Sequence, residues 1–167
     1  FVPAAAAILA DWGADVIKIE HVERGDASRG LGSSAGLAVG RDGVNLFMEH
    51  ANRGKRSIGL DLSKPEGVEL VYRLAAMSDV FLTNMLPGAR QRLKIDVEHV
   101  RAVNPNIVYA RGSAHGPRGP EADEGGYDLS VFWCRGGSAY GATAADARNI
   151  ALQPAGAYGD SIGGMTI

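Results

Sequence analysis

The sequence predicts an α/β fold in which a parallel β-sheet has helices on both faces. Short runs rich in β-branched and aromatic residues alternate with amphipathic segments along the chain, which is the pattern of β-α-β units. An apolar share of 46% in 167 residues provides enough material for one domain with a hydrophobic core. We therefore expect a single α/β unit over residues 1–167.

The N-terminal region predicts a helix, an inner strand and a long loop. Pro3 lies in the first turn of the helix, strong helix formers follow it, and Gly13 ends it. The run Val16–Glu20 is rich in β-branched residues and predicts a strand that ends in an acidic residue. Residues 21–44 are rich in glycine and serine without periodicity, which is typical of a loop.

Three more strands are predicted at residues 55–62, 79–84 and 107–110. A helix should follow the first of them, because Ser63 and Glu66 have capping-box spacing and Pro65 suits the first turn. Its predicted apolar face consists of Val68, Leu70, Val71, Leu74 and Ala75. Further helices are predicted from residue 89 and over residues 96–103, before the stop signal Asn104-Pro105.

The C-terminal third leads to one acidic residue, Asp160. Residues 112–126 have the composition of a surface loop, residues 125–133 predict a helical segment, and residues 141–154 show no clear element. Asp160 precedes an apolar helix, so it fits a helix N-cap. It also fits a reactive carboxylate, because Gly159, Gly163 and Gly164 would let a backbone or a ligand approach closely. The two interpretations are compatible, since a helix N-terminus keeps a carboxylate ionised.

Ligands of parallel sheets bind at the carboxyl ends of the strands, so the residues just past each strand are candidate site residues. These positions are residues 20–21, 60–63, 84–86 and 111 onward.

Composition excludes several classes of function. A net charge of -2 without a basic run argues against nucleic-acid binding, and the longest apolar run is too short to span a membrane. The single cysteine, Cys134, excludes an internal disulfide and fits the reducing cytoplasm. The four histidines have no metal-ligand spacing, so we expect no metal site.

Several motifs, in their order along the chain, resemble the class III CoA-transferase family. They are LADWGADVIKIE (residues 9–20), NRGKRSIGLDL (residues 52–62), Asn84 with Pro87-Gly88-Ala89, Asn104-Pro105, Gly126-Tyr-Asp128 and Gly159-Asp160. The family includes formyl-CoA:oxalate and carnitine CoA-transferases and 2-methylacyl-CoA racemases. The resemblance implies the N-terminal part of a Rossmann-like large domain. A chain that opens on Phe1 and stops soon after a helix begins is then expected to be a fragment. It also implies an interlocked homodimer.

The resemblance implies that Asp160 is the catalytic aspartate. Its carboxylate would attack an acyl-CoA thioester to form a mixed anhydride, and the CoA thiolate would then convert the anhydride into an aspartyl-CoA thioester. An incoming carboxylic acid would take CoA by the reverse steps. CoA and acyl-CoA are thus expected as substrates, with no permanently bound cofactor.

The resemblance also implies a set of CoA contacts. Leu60, Asp61, Leu62 and Ser63 would meet the adenosine end, Asn84, Met85 and Leu86 would line the groove, Arg92 would bind a phosphate, and Gly126, Tyr127 and Asp128 would lie along the pantetheine arm. Many relatives carry arginine where this chain has His21, and Arg24 or Arg29 could replace that contact.

Three alternatives stay open at this point. Family racemases place a histidine base at the position of Tyr127, and a phenol with a reference pKa of about 10 is a poor base at neutral pH, which favours the transferase. A homologue that binds acyl-CoA without turnover would have no need of Asp160. A nicotinamide-dependent dehydrogenase is suggested only by residues 13–20, which imitate the second Rossmann strand and its ribose-binding acid.

Overall fold

The computed structural model describes residues 1–31, 33–34, 37–38 and 40–167. The α-helices of these residues are α1 (Val2–Asp11), α2 (Leu46–Asn52), α3 (Pro65–Ala76), α4 (Pro87–Arg92), α5 (Val97–Val103), α6 (Ser138–Ala142) and α7 (Tyr158–Gly164). The strands are β1 (Val16–Glu20), β2 (Ser33–Ser34), β3 (Leu37–Ala38), β4 (Gly40–Arg41), β5 (Val44–Asn45), β6 (Lys55–Gly59), β7 (Val80–Thr83) and β8 (Val108–Arg111). A 3₁₀ turn spans Ala27–Gly30 and a π-helix spans Asp128–Arg135.

Parallel strand pairs flanked by helices form the scaffold, which confirms the predicted fold class. β1 pairs with β6 so that Val16 lies opposite Lys55, and β7 pairs with β8 so that Thr83 lies opposite Arg111. The four predicted strands are therefore present in two parallel pairs. Each pair brings the carboxyl ends of its two strands to the same edge, where a ligand site is expected.

The hydrophobic core lies between these strands and helices α3 and α5. Val71 of α3 packs with Leu60 and Ile95, and Ile19 and Ile58 of the first strand pair lie against this cluster. A second cluster joins Ala75 of α3 to Val100 of α5 and to Ile107 just before β8. The ring of Phe81 in β7 contacts both clusters and stacks on Tyr109 with ring centroids 5.4 Å apart.

The start of α3 differs from the prediction. The helix begins at Pro65 after Lys64, and the Ser63 hydroxyl donates to Asp61 Oδ1 (2.6 Å), so the predicted Ser63–Glu66 capping box is wrong. Lys64 is the N-cap, so Ser63 lies one residue before it and forms a local turn with Asp61. On the apolar face, Val71 and Ala75 are buried as predicted, whereas Leu70 is exposed.

The predicted strand 55–62 ends at Gly59, and the next residue, Leu60, is buried. The Leu60 N–H still donates to the Glu20 carbonyl (2.8 Å), but its side chain enters the core beside Val71. Predicted strands 79–84 and 107–110 are present with ends shifted by one residue or two.

The segment predicted as a loop, residues 21–44, carries more structure than expected. A 3₁₀ turn and short antiparallel strand pairs occur in it, while residues 32, 35–36 and 39 lie outside the described residues. Helix α2, which follows, was not predicted. Asn45 caps it by accepting the Met48 N–H (3.0 Å).

A buried acidic residue, Glu20, organises the first part of this segment. Its carboxylate accepts two hydrogen bonds from Arg29, both 2.8 Å, and one from the Asp26 N–H at 2.9 Å. The bidentate pair fixes the chain as it leaves β1. In the part of the chain that the structure describes, no helix is both long enough and apolar enough to cross a bilayer.

Candidate active site

A groove of about 1230 Å³ opens beside Asp160, and we call it the Asp160 groove. Its lining combines segments that are far apart in the chain: residues 84–87 after β7, residues 111–114 after β8, residues 125–129 at the start of the π-helix, and the first turn of α7. The groove thus lies at the carboxyl ends of the β7–β8 pair, where parallel sheets bind ligands.

Asp160 is the third residue of α7, so the interpretation of Asp160 as an N-cap is wrong. The N-cap is Ala157, which has a left-handed backbone (φ 57°, ψ 32°). This conformation costs a non-glycine residue roughly 1 kcal/mol, and such strain often accompanies functional sites. The bend at Ala157 turns the chain so that Asp160 faces the groove.

The Asp160 carboxylate is reachable from solvent and has one strong contact. Its side chain is 32% exposed, and Oδ1 accepts a hydrogen bond from the Phe1 nitrogen at 2.7 Å. The ionised form of a carboxylate is the one able to act as a nucleophile.

A second carboxylate, Asp128, supplies the cap that α7 lacks in its own sequence. Asp128 Oδ1 accepts the Asp160 N–H (3.0 Å), and the Gly159 N–H is directed at the same side chain. Oδ2 is buried and has no hydrogen-bond partner among the described residues. Burial and the nearby charge of Asp160 raise the pKa of Asp128 above its usual value, and the backbone donors only partly offset this.

The glycines of α7 lie in close contact with neighbouring protein atoms. A Cβ at Gly159 would overlap the Phe132 ring and Asp128 Oδ1, and one at Gly164 would lie 2.8 Å from Ala4 Cβ. Gly163 similarly faces Phe1. Of the two alternatives, a backbone or a ligand, the close approach at these glycines is by protein: they let α7 pack closely against α1 and the π-helix.

Two aromatic residues of the π-helix hold the first residue of α7. The rings of Phe132 and Trp133 each meet the Tyr158 ring edge to face, with centroids 6.2 Å apart. The Trp133 indole N–H also donates to the Ala151 carbonyl (2.7 Å), which anchors the irregular segment before α7. A π-helix is rare and often occurs at functional sites, and here it presents Asp128 and Phe132 to the same helix start.

A buried ion pair supports the other wall of the Asp160 groove. The Arg90 guanidinium donates to Asp96 Oδ1 (3.1 Å) and to the Met85 carbonyl (2.5 Å), and only 3% of Arg90 is exposed. Burial alone would raise the pKa of Asp96, but the Val97 N–H and Arg90 outweigh it and the pKa lies below its usual value. The pair fixes the loop that follows β7.

The structure divides the predicted CoA contacts into two groups. Those that line the Asp160 groove are Asn84, Met85, Leu86, Gly126, Tyr127 and Asp128. A second group, which does not line it, lies at the carboxyl ends of β1 and β6: His21, Leu60, Asp61, Leu62 and Ser63. Leu60 is a core residue, and the Asp61 carboxylate is close enough to His21 to interact with it electrostatically. Arg92 is exposed on α4, away from the groove lining.

Sequence reasoning missed several polar residues of the groove. These are His50, Asp96, Arg90 and Gln153. Arg111 stood at a position that the strand-end rule had marked, but no role was assigned to it. Its guanidinium is exposed in the groove. Within the described residues, no three His, Cys, Asp or Glu side chains cluster in a way that could hold a metal ion.

Comparison with known proteins identifies the family. The family model of "CoA-transferase family III" matches residues 1–167. The chain belongs to CoA-transferase family III. The resemblance found from the motifs is thereby confirmed.

Curated relatives of this family III chain carry transferase names. It is 42% identical over 132 residues to the succinate–glutarate CoA-transferase of Agrobacterium fabrum, which covers 77% of this chain and 32% of the relative. It is 32% identical over 135 residues to the (R)-2-hydroxy-4-methylpentanoate CoA-transferase of Clostridioides difficile, which covers 81% and 33%. The chain thus spans about a third of the length of these relatives.

Solved structures of the family share the fold. A CaiB/BaiF family protein from Brucella suis superposes with a TM-score of 0.79 at 30% identity, over 98% of this chain and 44% of that one. Rv3272 from Mycobacterium tuberculosis superposes with a TM-score of 0.78 at 32% identity, over 98% and 42%.

Proposed function

We propose that the protein transfers CoA between an acyl-CoA thioester and a carboxylic acid, with Asp160 as the nucleophile. The observation that carries the proposal is the partly exposed Asp160 carboxylate in a groove that also contains Asn84–Leu86 and Gly126–Asp128. The groove volume of about 1230 Å³ exceeds that of ordinary small-ligand pockets, which suits a long thioester substrate. Membership of family III and the transferase names of the relatives support the same reaction class.

The first half of the reaction makes and breaks two bonds. An Asp160 oxygen attacks the thioester carbonyl, the carbon–sulfur bond breaks, and CoA leaves as a thiolate. The thiolate then attacks the Asp160 carbonyl carbon, and the bond to the acyl-bearing oxygen breaks. The donor acid leaves as a carboxylate, and Asp160 is left as an aspartyl-CoA thioester. The acceptor carboxylate reverses both steps, so no net proton transfer is needed.

The surroundings of Asp160 suit this sequence of steps. Each addition places negative charge on an oxygen, and preorganised donors stabilise such oxyanions by about 3 kcal/mol each. The backbone of α7 is anchored from both the π-helix and α1, so Asp160 can hold its orientation through all four steps.

The position of Tyr127 favours a transferase over a racemase. Removal and return of an α-proton on opposite faces needs two bases. Tyr127 stands where family racemases are expected to have histidine, and its side chain is largely in solvent, with 86% of the residue exposed. A non-catalytic acyl-CoA-binding protein would need the groove but would have no need of the Asp160 carboxylate in it.

We further propose that the adenosine end of CoA binds at the second group of predicted residues. His21, Asp61 and Ser63 lie together at the carboxyl ends of β1 and β6, with Asp61 held by the Ser63 hydroxyl and N–H. The Ser63 hydrogen bonds lower the pKa of Asp61 and keep it charged. Arg92 is proposed to bind a phosphate, since its forked cation is exposed and suited to that contact.

The proposal is tested by oxygen transfer. An acceptor acid labelled with ¹⁸O in its carboxylate attacks aspartyl-CoA through one oxygen, which stays on Asp160 when the new acyl-CoA forms. The names of the relatives suggest succinyl-CoA as the donor and labelled glutarate as the first acceptor to test, followed by labelled 2-hydroxy acids. Mass spectrometry of the purified enzyme should find one heavy oxygen in the peptide that contains Asp160.

Matched variants complete the test. Asp160→Ala and Asp160→Asn should lower turnover by at least about 1000-fold and leave CoA binding within about threefold. Asp146→Asn makes the same chemical change at an exposed acid outside the groove lining and should match the wild type. Turnover without label on Asp160, or with Asp160 replaced, would refute the nucleophile. Exchange of the α-hydrogen with solvent deuterium would point instead to the racemase.

We propose a homodimer and a cytoplasmic setting for the enzyme. The homodimer follows from the family resemblance, and light scattering of the purified protein at several concentrations tests it. The free, exposed thiol of Cys134 suits a reducing compartment.

A further inference from the structure

Helix α7 carries the proposed nucleophile but has few stabilising features of its own. It is seven residues long, begins after a left-handed alanine, and contains Gly159, Gly163 and Gly164. Glycine in a helix costs roughly 1 kcal/mol relative to alanine, and so short a helix is marginal without tertiary contacts. The orientation of Asp160 must therefore be set by neighbouring elements.

One polar side chain reaches the backbone of Asp160 from another element. Asp128 lies 32 residues earlier in the chain, and its Oδ1 accepts the Asp160 N–H at 3.0 Å. The Gly159 N–H interacts with the same carboxylate, so Asp128 takes up donors that the first turn of a helix leaves unpaired. A charged acceptor makes this hydrogen bond stronger than a neutral one.

The site of Asp128 is closely fitted around this contact. The Phe132 ring covers Gly159 next to Asp128 Oδ1, and Asp128 Oδ2 is buried. The side chain of Gln153 also interacts with the carboxylate. Asp128 Oδ1 is therefore committed to the protein backbone, and a pantetheine arm bound at this oxygen would compete with that contact.

We propose that Asp128 is a positioning residue for the transferase reaction, which holds the backbone of Asp160 so that the Asp160 carboxylate meets the thioester. The inference rests on the proposed function and changes the role expected for Asp128 from CoA contact to support of the nucleophile. A shift of about 1 Å in a reacting group costs on the order of 100-fold in rate. Asp128 acts through the Asp160 N–H and does not itself touch the reacting atoms.

The test compares Asp128→Ala and Asp128→Asn with Asp146→Asn as the matched control. We measure the single-turnover rate of Asp160 modification with succinyl-CoA, trapped by hydroxylamine, and the Kd of CoA by calorimetry. Asp128→Ala should slow modification by about 30- to 100-fold at saturating succinyl-CoA, with the Kd of CoA within about threefold. Asp128→Asn keeps an oxygen acceptor of the same shape and should recover the rate to within about fivefold. Asp146→Asn should not change either quantity.

Three outcomes would overturn the inference. The first is a Kd that rises while the saturated rate is unchanged, which would make Asp128 a CoA contact. The second is an Asn variant as slow as the Ala variant. The third is an unchanged rate per active site in Asp128→Ala after correction for the folded fraction, which would leave only a stabilising role. If Asp128→Ala does not fold, Asp128→Asn and Asp128→Ser carry the comparison.

Amide hydrogen exchange separates failure of the inference from failure of the proposed function. Exchange at the Asp160 N–H should be faster in Asp128→Ala than in the wild type, whether or not the protein turns over succinyl-CoA. If wild-type Asp160 is never modified, the proposed function fails and exchange still tests the contact. If wild-type Asp160 is modified and Asp128→Ala is modified equally fast, only the inference fails.

Discussion

Replacing Gly159 by alanine tests whether α7 is held in place by close packing. The new methyl group would overlap two neighbours, the Phe132 ring and Asp128 Oδ1, because the helix start lies directly against the π-helix. Phe132 cannot simply withdraw, since its ring also meets the Tyr158 ring edge to face. We expect either the π-helix or α7 to move, and both movements displace Asp160.

The expected magnitude follows from two opposing effects. Alanine in place of glycine favours a helix by roughly 1 kcal/mol, whereas an extra methyl group in a filled site costs about 1 to 3 kcal/mol. The net loss in free energy of unfolding should be about 1 kcal/mol. The loss of activity should be larger, on the order of 100-fold in kcat, because a displacement of about 1 Å misaligns a nucleophile.

The matched control is Gly141→Ala in helix α6. A Cβ at Gly141 meets open space, so this variant should gain about 0.5 kcal/mol and keep wild-type activity. Urea unfolding of both variants gives the free energies, and initial rates of CoA transfer give kcat and KM. If Gly159→Ala is as active as Gly141→Ala, close packing does not orient Asp160 and the reasoning is refuted.

Two further predictions concern charged pairs. The Arg29 hydrogen bonds lower the pKa of Glu20 from 4.5 to about 2, so this pair stabilises the fold above about pH 4.5, and the contribution is lost as the pH falls towards 2. Arg29 is half exposed, so screening by solvent reduces the strength of this pair. Glu20→Gln should therefore reduce the free energy of unfolding by about 2 kcal/mol near neutral pH and by less than half of that near pH 3. Equal losses at both pH values would contradict the role given to the Glu20–Arg29 pair. Arg90→Leu should lower the free energy of unfolding by about 3 kcal/mol, because it leaves the buried Asp96 without its ion-pair partner. Arg92→Leu should change the free energy of unfolding by no more than about 0.5 kcal/mol and raise the KM of acyl-CoA several-fold. Urea unfolding measures the free energies of the two arginine variants, and initial rates measure KM. An unchanged KM for Arg92→Leu would remove Arg92 from the proposed phosphate site.

Local signals were sufficient for the scaffold. The runs Val16–Glu20 and Val80–Thr83 are rich in β-branched or aromatic residues, and each forms a strand that ends where the pattern ends or within a residue or two of it. The apolar spacing of Val71 and Ala75 was enough to identify the buried face of α3. Helix α2 was not predicted because it is short and follows a segment with no periodicity. Its N-cap residue, Asn45, is by itself only a weak signal for the start of a helix.

Several residues have partners that the spacing along a single segment does not show. Aspartate is a common N-cap residue, but the side chain that accepts a backbone N–H at the start of α7 is Asp128, from the π-helix. Ser63 has capping-box spacing, yet the nearer oxygen of Asp61 occupies its hydroxyl. The glycines around Asp160 allow a close approach by a backbone or a ligand, and Phe132, Phe1 and Ala4 are the neighbours that approach them.

The sequence by itself determined the α/β class, the order of the strands, the family and the candidate acid Asp160, because these depend on patterns within single segments and on their order along the chain. Only the tertiary structure decided which residues surround that acid. Asp128, Phe132, Arg90 and Arg111 come together with Asp160 or its groove through packing between segments, and the distances and burial that define their roles depend on contacts that no local pattern records.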